Sequence, residues 1–566
     1  MIKLIIFCLI LLFSLTILMV PSQGWVETAF IKSGYYFTFV SLMLWLIFLL
    51  RIRPWALYSF MKKHSQGFIL SICAAVMIFT ISPPRFKILG DETTLLGTSM
   101  AIYKDKTSHV PLYGMDYQKS TFSVCKRPLL YPFLTSIIHS FTGYKATNAF
   151  VVNFISSICT LFLFYLFLSF YFSKKLGLIS ILLVAGSPIF TFWSTSGGFE
   201  SINLTFLMFV FLFLCQFLKI KNIIFFTLLI LTLILLAQCR YESIIFFLPL
   251  LILIPVFLRD KLFYKSSWVT VFSPIFLIPV FWQRRLDSIQ LFQPNDYFAA
   301  KISDMLSAFN LKNFFNNSID NIYVLTGFDP SYGFSPVITL LAIIGIYFLI
   351  RKIIISQENI AWDIKQILMF CVISIILLVA IHFSYFWGNF SNAASNRFAL
   401  IYLPFLIFPA IYAIHKIEKI LFFSKSIFPI FFIFHLIFFL PYSADQNKIK
   451  TLIAPIEYEK TLEYLKKNYG ENDKESMLII TENPEYYIVQ GYGALSFQIA
   501  NKREKEVKKR LKKILNRVII IQKYDYLYNS PFVKTRLDQA FKYHKVGIIK
   551  ISPNLFLKIS ELDIII

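Results

Sequence analysis

"GSPIFTFWSTSGGFESINLTFLMFVFLFL", residues 186–214, carries a single charged side chain, Glu200. The apolar runs on either side of "STSGG" have charge-free centres, and about 20 such residues cross a bilayer. They read as the end of one span and the start of the next, with Glu200 at the first turn of the second.

The rest of the chain repeats that pattern. Of 566 residues 57% are hydrophobic and only 15% charged, with 64 Phe, whereas soluble domains carry near ~25% charged residues. One anchor does not account for this, so the chain reads as a polytopic membrane protein. The net charge of +24 fits retention of cytosolic loops, and no motif points to nucleic acid. Seven cysteines, Cys8, Cys73, Cys125, Cys159, Cys215, Cys239 and Cys371, stand singly without a C-x-x-C or metal-ligand spacing. The opening "MIKLIIFCLILLFSLTILMV" lacks a signal-peptide cleavage site and is long enough to span.

About thirteen helices are expected, near 3–20, 34–50, 67–82, 146–172, 176–194, 201–218, 223–239, 243–258, 268–282, 336–350, 366–385, 398–414 and 426–441. One set of alternate loops carries roughly 17 Lys and Arg, against Lys32, Arg240 and Arg397 in the other. This bias places the N-terminus in the cytosol and the C-terminus outside, in a multi-pass protein of the plasma membrane. Three long polar stretches then face the exterior: 83–145, 283–335 and the tail. The domain reading is 1–66, two additional N-terminal helices; 67–441, a transmembrane catalytic module; and 442–566, a small extracytoplasmic α/β domain. In that tail "APIEYEKTLEYLKKNYG" has helical spacing, "MLIITENPEYYIV" reads as a strand and turn, "EKEVKKRLKKILNR" as a basic helix and "VIIIQKY" as a further strand.

The first outer loop contains "RFKILGDETTLLGTSMAIYKD", residues 85–105, where Asp91 and Glu92 stand together. Acids in a helical first turn complement the macrodipole. The loop has about 60 residues, however, and loops longer than ~12 to 15 are commonly functional. It ends in "CKRPLLYPFLTSIIHSFTGY", where Lys126 and Arg127 precede a Pro-started segment suited to the membrane surface. Acids and bases collect at one membrane face.

"GDETTLLGTSMAIYKD", "KRPLLYPFLTSIIHSFTG", the stretch quoted first, "CRYESIIFFLPLLILIP" and "NRFALIYLPFLIFPA" together resemble the successive landmarks of GT-C glycosyltransferases. The branch is that of the protein O-mannosyltransferases and the lipid A aminoarabinose transferase, over roughly residues 67–415. The resemblance implies inverting transfer of a sugar from a polyprenyl-phosphate carrier to a lipid, glycan or protein acceptor outside the membrane. Asp91 matches the family's catalytic acid position and Glu92 its frequent acidic neighbour. Two departures stand: Leu129 replaces the second proline after Arg127, and the second-loop acid is Glu200 where relatives mostly have Asp.

The chemistry asks for these residue types. A hydroxyl acceptor needs a carboxylate to take its proton, the role given to Asp91. An oxocarbenium-like carbon is stabilised by neighbouring carboxylates, here Glu92 or Glu200. A departing lipid phosphate needs cations; Lys126, Arg127, Arg240 and Arg397 all lie at outer ends of spans. The sequence names no cofactor, and a divalent metal on Asp91 and Glu200 is left open because such ions want several oxygen ligands. His109, His139 and His382 read as structural, and "GYGALS" at 491–496 as a turn. A flippase or transporter would place ionisable groups at the midplane, and a polymerase or ligase of surface glycan would carry its largest outer loop late; this chain shows neither pattern.

Overall fold

The computed structural model describes residues 2–16, 22–52, 62–115, 120–250, 265–290, 309–327, 333–354, 362–392, 394–420, 424–446, 453–470, 474–511, 515–525, 530–531, 537, 541–552 and 554–563. The helices of its first part are α1 (Ile2–Thr16), α2 (Gln23–Leu50), α3 (Ser65–Ile81), α4 (Leu89–Asp105), α5 (Leu130–Thr142), α6 (Asn148–Tyr171), α7 (Lys174–Ala185), α8 (Pro188–Ser194), α9 (Glu200–Ile220) and α10 (Ile223–Cys239). After a 3₁₀ turn at Tyr241–Phe246 come α11 (Trp268–Phe272), α12 (Ile278–Gln290), α13 (Leu311–Thr326), α14 (Pro336–Ile354), α15 (Trp362–Ser384), α16 (Leu403–Ile420) and α17 (Ser424–Gln446). Among the described residues, six helices are long and apolar enough to cross a membrane, or seven if the bent pair α7–α8 is one span. That is fewer than the thirteen expected. The difference lies in apolar helices of 10–17 residues, such as Ile2–Thr16, Ser65–Ile81 and Ile223–Cys239, which at 1.5 Å per residue fall short of a ~30 Å hydrocarbon core. The expected helix at 243–258 runs into 251–264, outside the described residues.

α9 sits deepest, with 83% of its apolar window buried in the protein. Lipid tails give apolar helices no solvent-driven reason to associate, so small and hydroxylated residues mediate close contact. Ser156 and Thr160 on α6 meet Ser201 and Thr205 on α9, Ser156 Oγ lying 3.0 Å from Ser201 Oγ and 2.7 Å from Thr205 Oγ1. The expected straight span 176–194 is instead two helices meeting at 70°. Gly186 ends α7, and Pro188, which lacks an N–H to continue the ladder, opens α8. The bend brings the 194–200 turn to the start of α4, where the Gly197 N–H donates to Glu92.

The tail is a helix, α18 (Ile453–Tyr469), then β3 (Met477–Thr481), α19 (Glu485–Ile488), β4 (Gly493–Ser496), α20 (Phe497–Lys502), α21 (Glu504–Leu511), β5 (Arg517–Asp525), β6 (Ser530–Pro531), β7 (Tyr543–Ser552) and β8 (Leu555–Leu562). The sheet order is β4-β3-β5-β8-β7 with β6 on β5. β4, β3 and β5 run parallel, whereas β8 is antiparallel to β5 and β7. The expected helix at 454–470 and strand at 518–524 are present; in the 477–489 stretch the strand Met477–Thr481 is followed by the short helix Glu485–Ile488, and of the expected basic helix Glu504–Leu511 is helical while 512–514 lie outside the described residues. In the first loop β1 (His109–Tyr113) and β2 (Thr121–Val124) form an antiparallel ribbon. The bridge between loop and tail is a pair of reciprocal backbone bonds of 2.8 Å joining Gly114 and Ala494 on the open edge of β4. Phe86, Leu89 and Leu96 of the loop share one apolar cluster with Tyr458, Ile479, Tyr487 and Val489 of the tail.

Candidate active site

Asp91 and Glu92 both lie in the first turn of α4, but the backbone turn points them differently. Asp91 meets two guanidiniums: Arg127 Nη2 on Oδ1, and Arg397 Nη1 at 2.7 Å from Oδ2. Arg397 also lies 3.4 Å from Glu200 Oε1, so one cation bridges Asp91 and Glu200. Burial alone would push the Asp91 carboxyl up; Arg397 and Arg127 outweigh it and hold it below the usual carboxylate range. Nε of Arg397, a residue 9% exposed, has no hydrogen-bond partner among the described residues.

Glu92 turns inward, 2% exposed. Its Oε2 accepts the backbone N–H of Lys87 and of Ile88, and its Oε1 that of Gly197 at 2.7 Å. It ties the start of α4 to the 194–200 turn. Burial, reinforced by the charge of Glu200, raises Glu92 to about 7 despite those three donors.

Of the other cations, Arg240 is 4% exposed, pairs with Glu242 at 3.3 Å and lies 4.4 Å from the Phe398 ring centre. It shares the Phe199 and Phe398 rings with Arg397. Lys126 is half-buried next to Arg127 and does not line the pocket with Asp91. That pocket, about 180 Å³ of empty volume, is bounded by Asp91, Glu92, Trp193, Gly198, Glu200 and Arg397 among others. Among the described residues no group of three His, Cys, Asp or Glu converges on a metal position. The Arg397 guanidinium stands between Asp91 and Glu200.

Lys87 escaped the sequence reading. It is 3% exposed, and its ammonium donates to the Phe192 carbonyl and, at 2.8 Å, to Thr195 Oγ1. Burial pushes it well below the ordinary ammonium range against the pull of Glu92 and Glu200. A lone lysine between Phe86 and Ile88 has no periodicity to announce it. The glycines of "STSGG" also gain a reason: a Cβ on Gly197 would meet the Phe86 ring at 2.6 Å, and one on Gly198 would meet Glu200 Oε2 at 2.2 Å. His139 is held between Ser99 and Asn148, and His382 lies against Tyr402.

The site is thus a set of paired acids and guanidiniums brought together from the 85–105 loop, the 194–200 turn and Arg397 of a helical membrane protein. Residues 126–282 match the family described as dolichyl-phosphate-mannose-protein mannosyltransferase. No curated protein matches the chain. The solved structures it is similar to include the apo oligosaccharyltransferase of Archaeoglobus fulgidus, at 11% identity and TM-score 0.47 over 81% of this chain and 69% of that one. The oligosaccharyltransferase AglB of Archaeoglobus fulgidus in complex with an inhibitory peptide and a dolichol-phosphate gives 11% identity and TM-score 0.44, over 81% and 70%. ArnT from Cupriavidus metallidurans bound to undecaprenyl phosphate gives 10% identity and TM-score 0.42, over 88% and 98%.

Proposed function

We propose that the chain is an inverting glycosyltransferase that moves a sugar from a polyprenyl-phosphate carrier to a hydroxyl acceptor on the extracytoplasmic side. The observation that carries this reading is the arrangement around Arg397: a buried guanidinium with an unmatched Nε donor, shared between Asp91 and Glu200 at the mouth of a pocket. An unsatisfied buried donor costs about 1–3 kcal/mol, and an anionic phosphate oxygen satisfies it.

The donor phosphate takes up Arg127 and Arg397, which removes the two cations that hold the Asp91 proton affinity down. Asp91 then accepts the acceptor hydroxyl proton as the oxygen bonds to the anomeric carbon. The bond from that carbon to the phosphate oxygen breaks with its electron pair, and the lipid phosphate leaves as an anion neutralised by the guanidiniums. A single displacement inverts the anomeric centre. Glu200 faces the same pocket and stabilises positive charge developing on the sugar. Glu92 and Lys87 hold the two outer loops in register, and Arg240 and Lys126 add positive potential nearby.

The test uses purified protein in lipid with a synthetic polyprenyl-phosphate sugar. Asp91→Asn keeps the shape but cannot take the proton, so turnover falls ~10²- to 10⁴-fold with donor binding retained. Near-normal turnover in that variant, or robust transfer from a nucleotide sugar without lipid carrier, would sink the reading.

A further inference from the structure

The tail holds a second crevice, larger than the one at Asp91, with an empty volume of about 440 Å³. It opens between α18 and the carboxyl ends of parallel β3 and β5, marked by Thr481 and Lys523. Strand ends of this kind are where α/β sheets take ligands, since side chains and loops diverge there. Glu457 stands in its wall, 7% exposed. One carboxylate oxygen, Oε2, pairs with Lys523 Nζ at 2.7 Å. The other, Oε1, is buried with no hydrogen-bond partner among the described residues. A half-satisfied buried carboxylate is costly, and a hydroxyl donor entering the crevice completes it. Asn483, Thr481 and the Tyr458 and Tyr486 rings supply further polar edges and flat faces.

The crevice is coupled to the reacting carboxylate by position. Tyr458 Oη donates to the Tyr486 carbonyl at 2.8 Å, and α19, which carries Tyr486, packs on α4. The Tyr486 hydroxyl is raised to about 12 by burial first, then by Glu485, Glu457 and Asp91, so it feels the carboxylates of both sites. Arg85 reaches Glu459 on α18 at 3.4 Å and Phe86 packs its ring on Tyr458, fixing the crevice to the first outer loop.

We propose that this crevice binds a saccharide of the acceptor, its hydroxyls donating to Glu457 Oε1 and its apolar ring faces lying on tyrosine. The transferase therefore extends a glycan or the sugar headgroup of a glycolipid. This rests on the transferase reading above. It is tested on the full chain in lipid nanodiscs free of glycoside detergent, by saturation-transfer NMR with methyl glycosides of glucose, galactose, mannose and N-acetylglucosamine and a Ser/Thr peptide as a separate probe. At least one glycoside binds the wild type and Asp91→Asn alike, and binds Glu457→Gln and the half-buried Asn483→Ala about tenfold more weakly. Absence of glycoside binding, binding indifferent to both crevice substitutions, or peptide binding lost on Glu457→Gln overturns the proposal. If Asp91→Asn transfers sugar normally while the crevice still takes a glycoside in this manner, the transferase assignment of Asp91 fails and the crevice assignment stands.

Discussion

Asp91 and Glu92 share a helical turn and carry opposite electrostatic signs of perturbation. Asp91 is depressed by two guanidiniums, whereas Glu92 is lifted to about 7 by burial and by Glu200. A carboxyl raised in the folded state keeps a proton that the unfolded chain has lost. Stability from this group is therefore complete below about pH 4.5 and lost as pH rises toward about 7. Thermal melting of the purified protein should accordingly fall between pH 5 and pH 8, by the equivalent of a few kcal/mol. Glu92→Gln should flatten that dependence, although its amide NH₂ then opposes a backbone N–H and lowers the melting point throughout. A steep pH dependence surviving in Glu92→Gln would assign the effect elsewhere. Gly198→Ala tests the close approach at the second loop. Its Cβ would fall on Glu200 Oε2, the carboxylate must move, and misplacement of about 1 Å costs up to ~10²-fold in rate. Turnover should drop while the amount of folded protein recovered stays close to wild type; unchanged turnover would show that Glu200 is not held for catalysis.

At the scale of elements, the open edge of β4 is the feature that most needs managing, because unpaired strand edges recruit other chains. Gly114 covers it with two 2.8 Å backbone bonds to Ala494. A Cβ at Gly114 would lie 2.5 Å from the Ser120 backbone, so Gly114→Val forces β1 and β2 apart and pulls the loop from the tail. Hydrogen exchange at Ala494 and its neighbours should rise by at least about tenfold, a loss of ~1.4 kcal/mol of local protection, with exchange in α9 unchanged. Protection unchanged at Ala494 would mean the bridge contributes nothing to docking. The bend between α7 and α8 performs a related task within the membrane part, since a straight helix would carry Trp193 and the 194–200 turn away from α4.

For the whole molecule, the net charge and the one-sided Lys and Arg distribution predict its orientation. Reporter fusions after Lys63, Lys175, Lys221 and Lys352 should sit in the cytosol, and fusions within 100–120 or after Ser443 outside. A cytosolic tail would detach the proposed chemistry from a lipid-linked donor presented at the outer face.

The sequence by itself determined that this chain lives in a bilayer, because charge-free runs of apolar residues leave no alternative solvent for them. It also determined that Asp91, Glu200, Arg127 and Arg397 were worth weighing, since ionisable groups at span ends are sparse enough to be counted. The helix Ile453–Tyr469 and the strands Met477–Thr481 and Arg517–Asp525 of the tail were legible from local periodicity. Their packing was not, as loop and tail are separated by more than three hundred residues, and the cluster joining Phe86 to Tyr458 leaves no local pattern. Only the tertiary structure decided which acids meet which cations. Glu92 is committed to three backbone N–H groups while Asp91 takes both guanidiniums, and Arg240 lies against the Phe398 ring. Direction of a side chain within a turn, and the unmatched oxygen of Glu457, arise from how distant segments pack, and no spacing of residues along the chain encodes them.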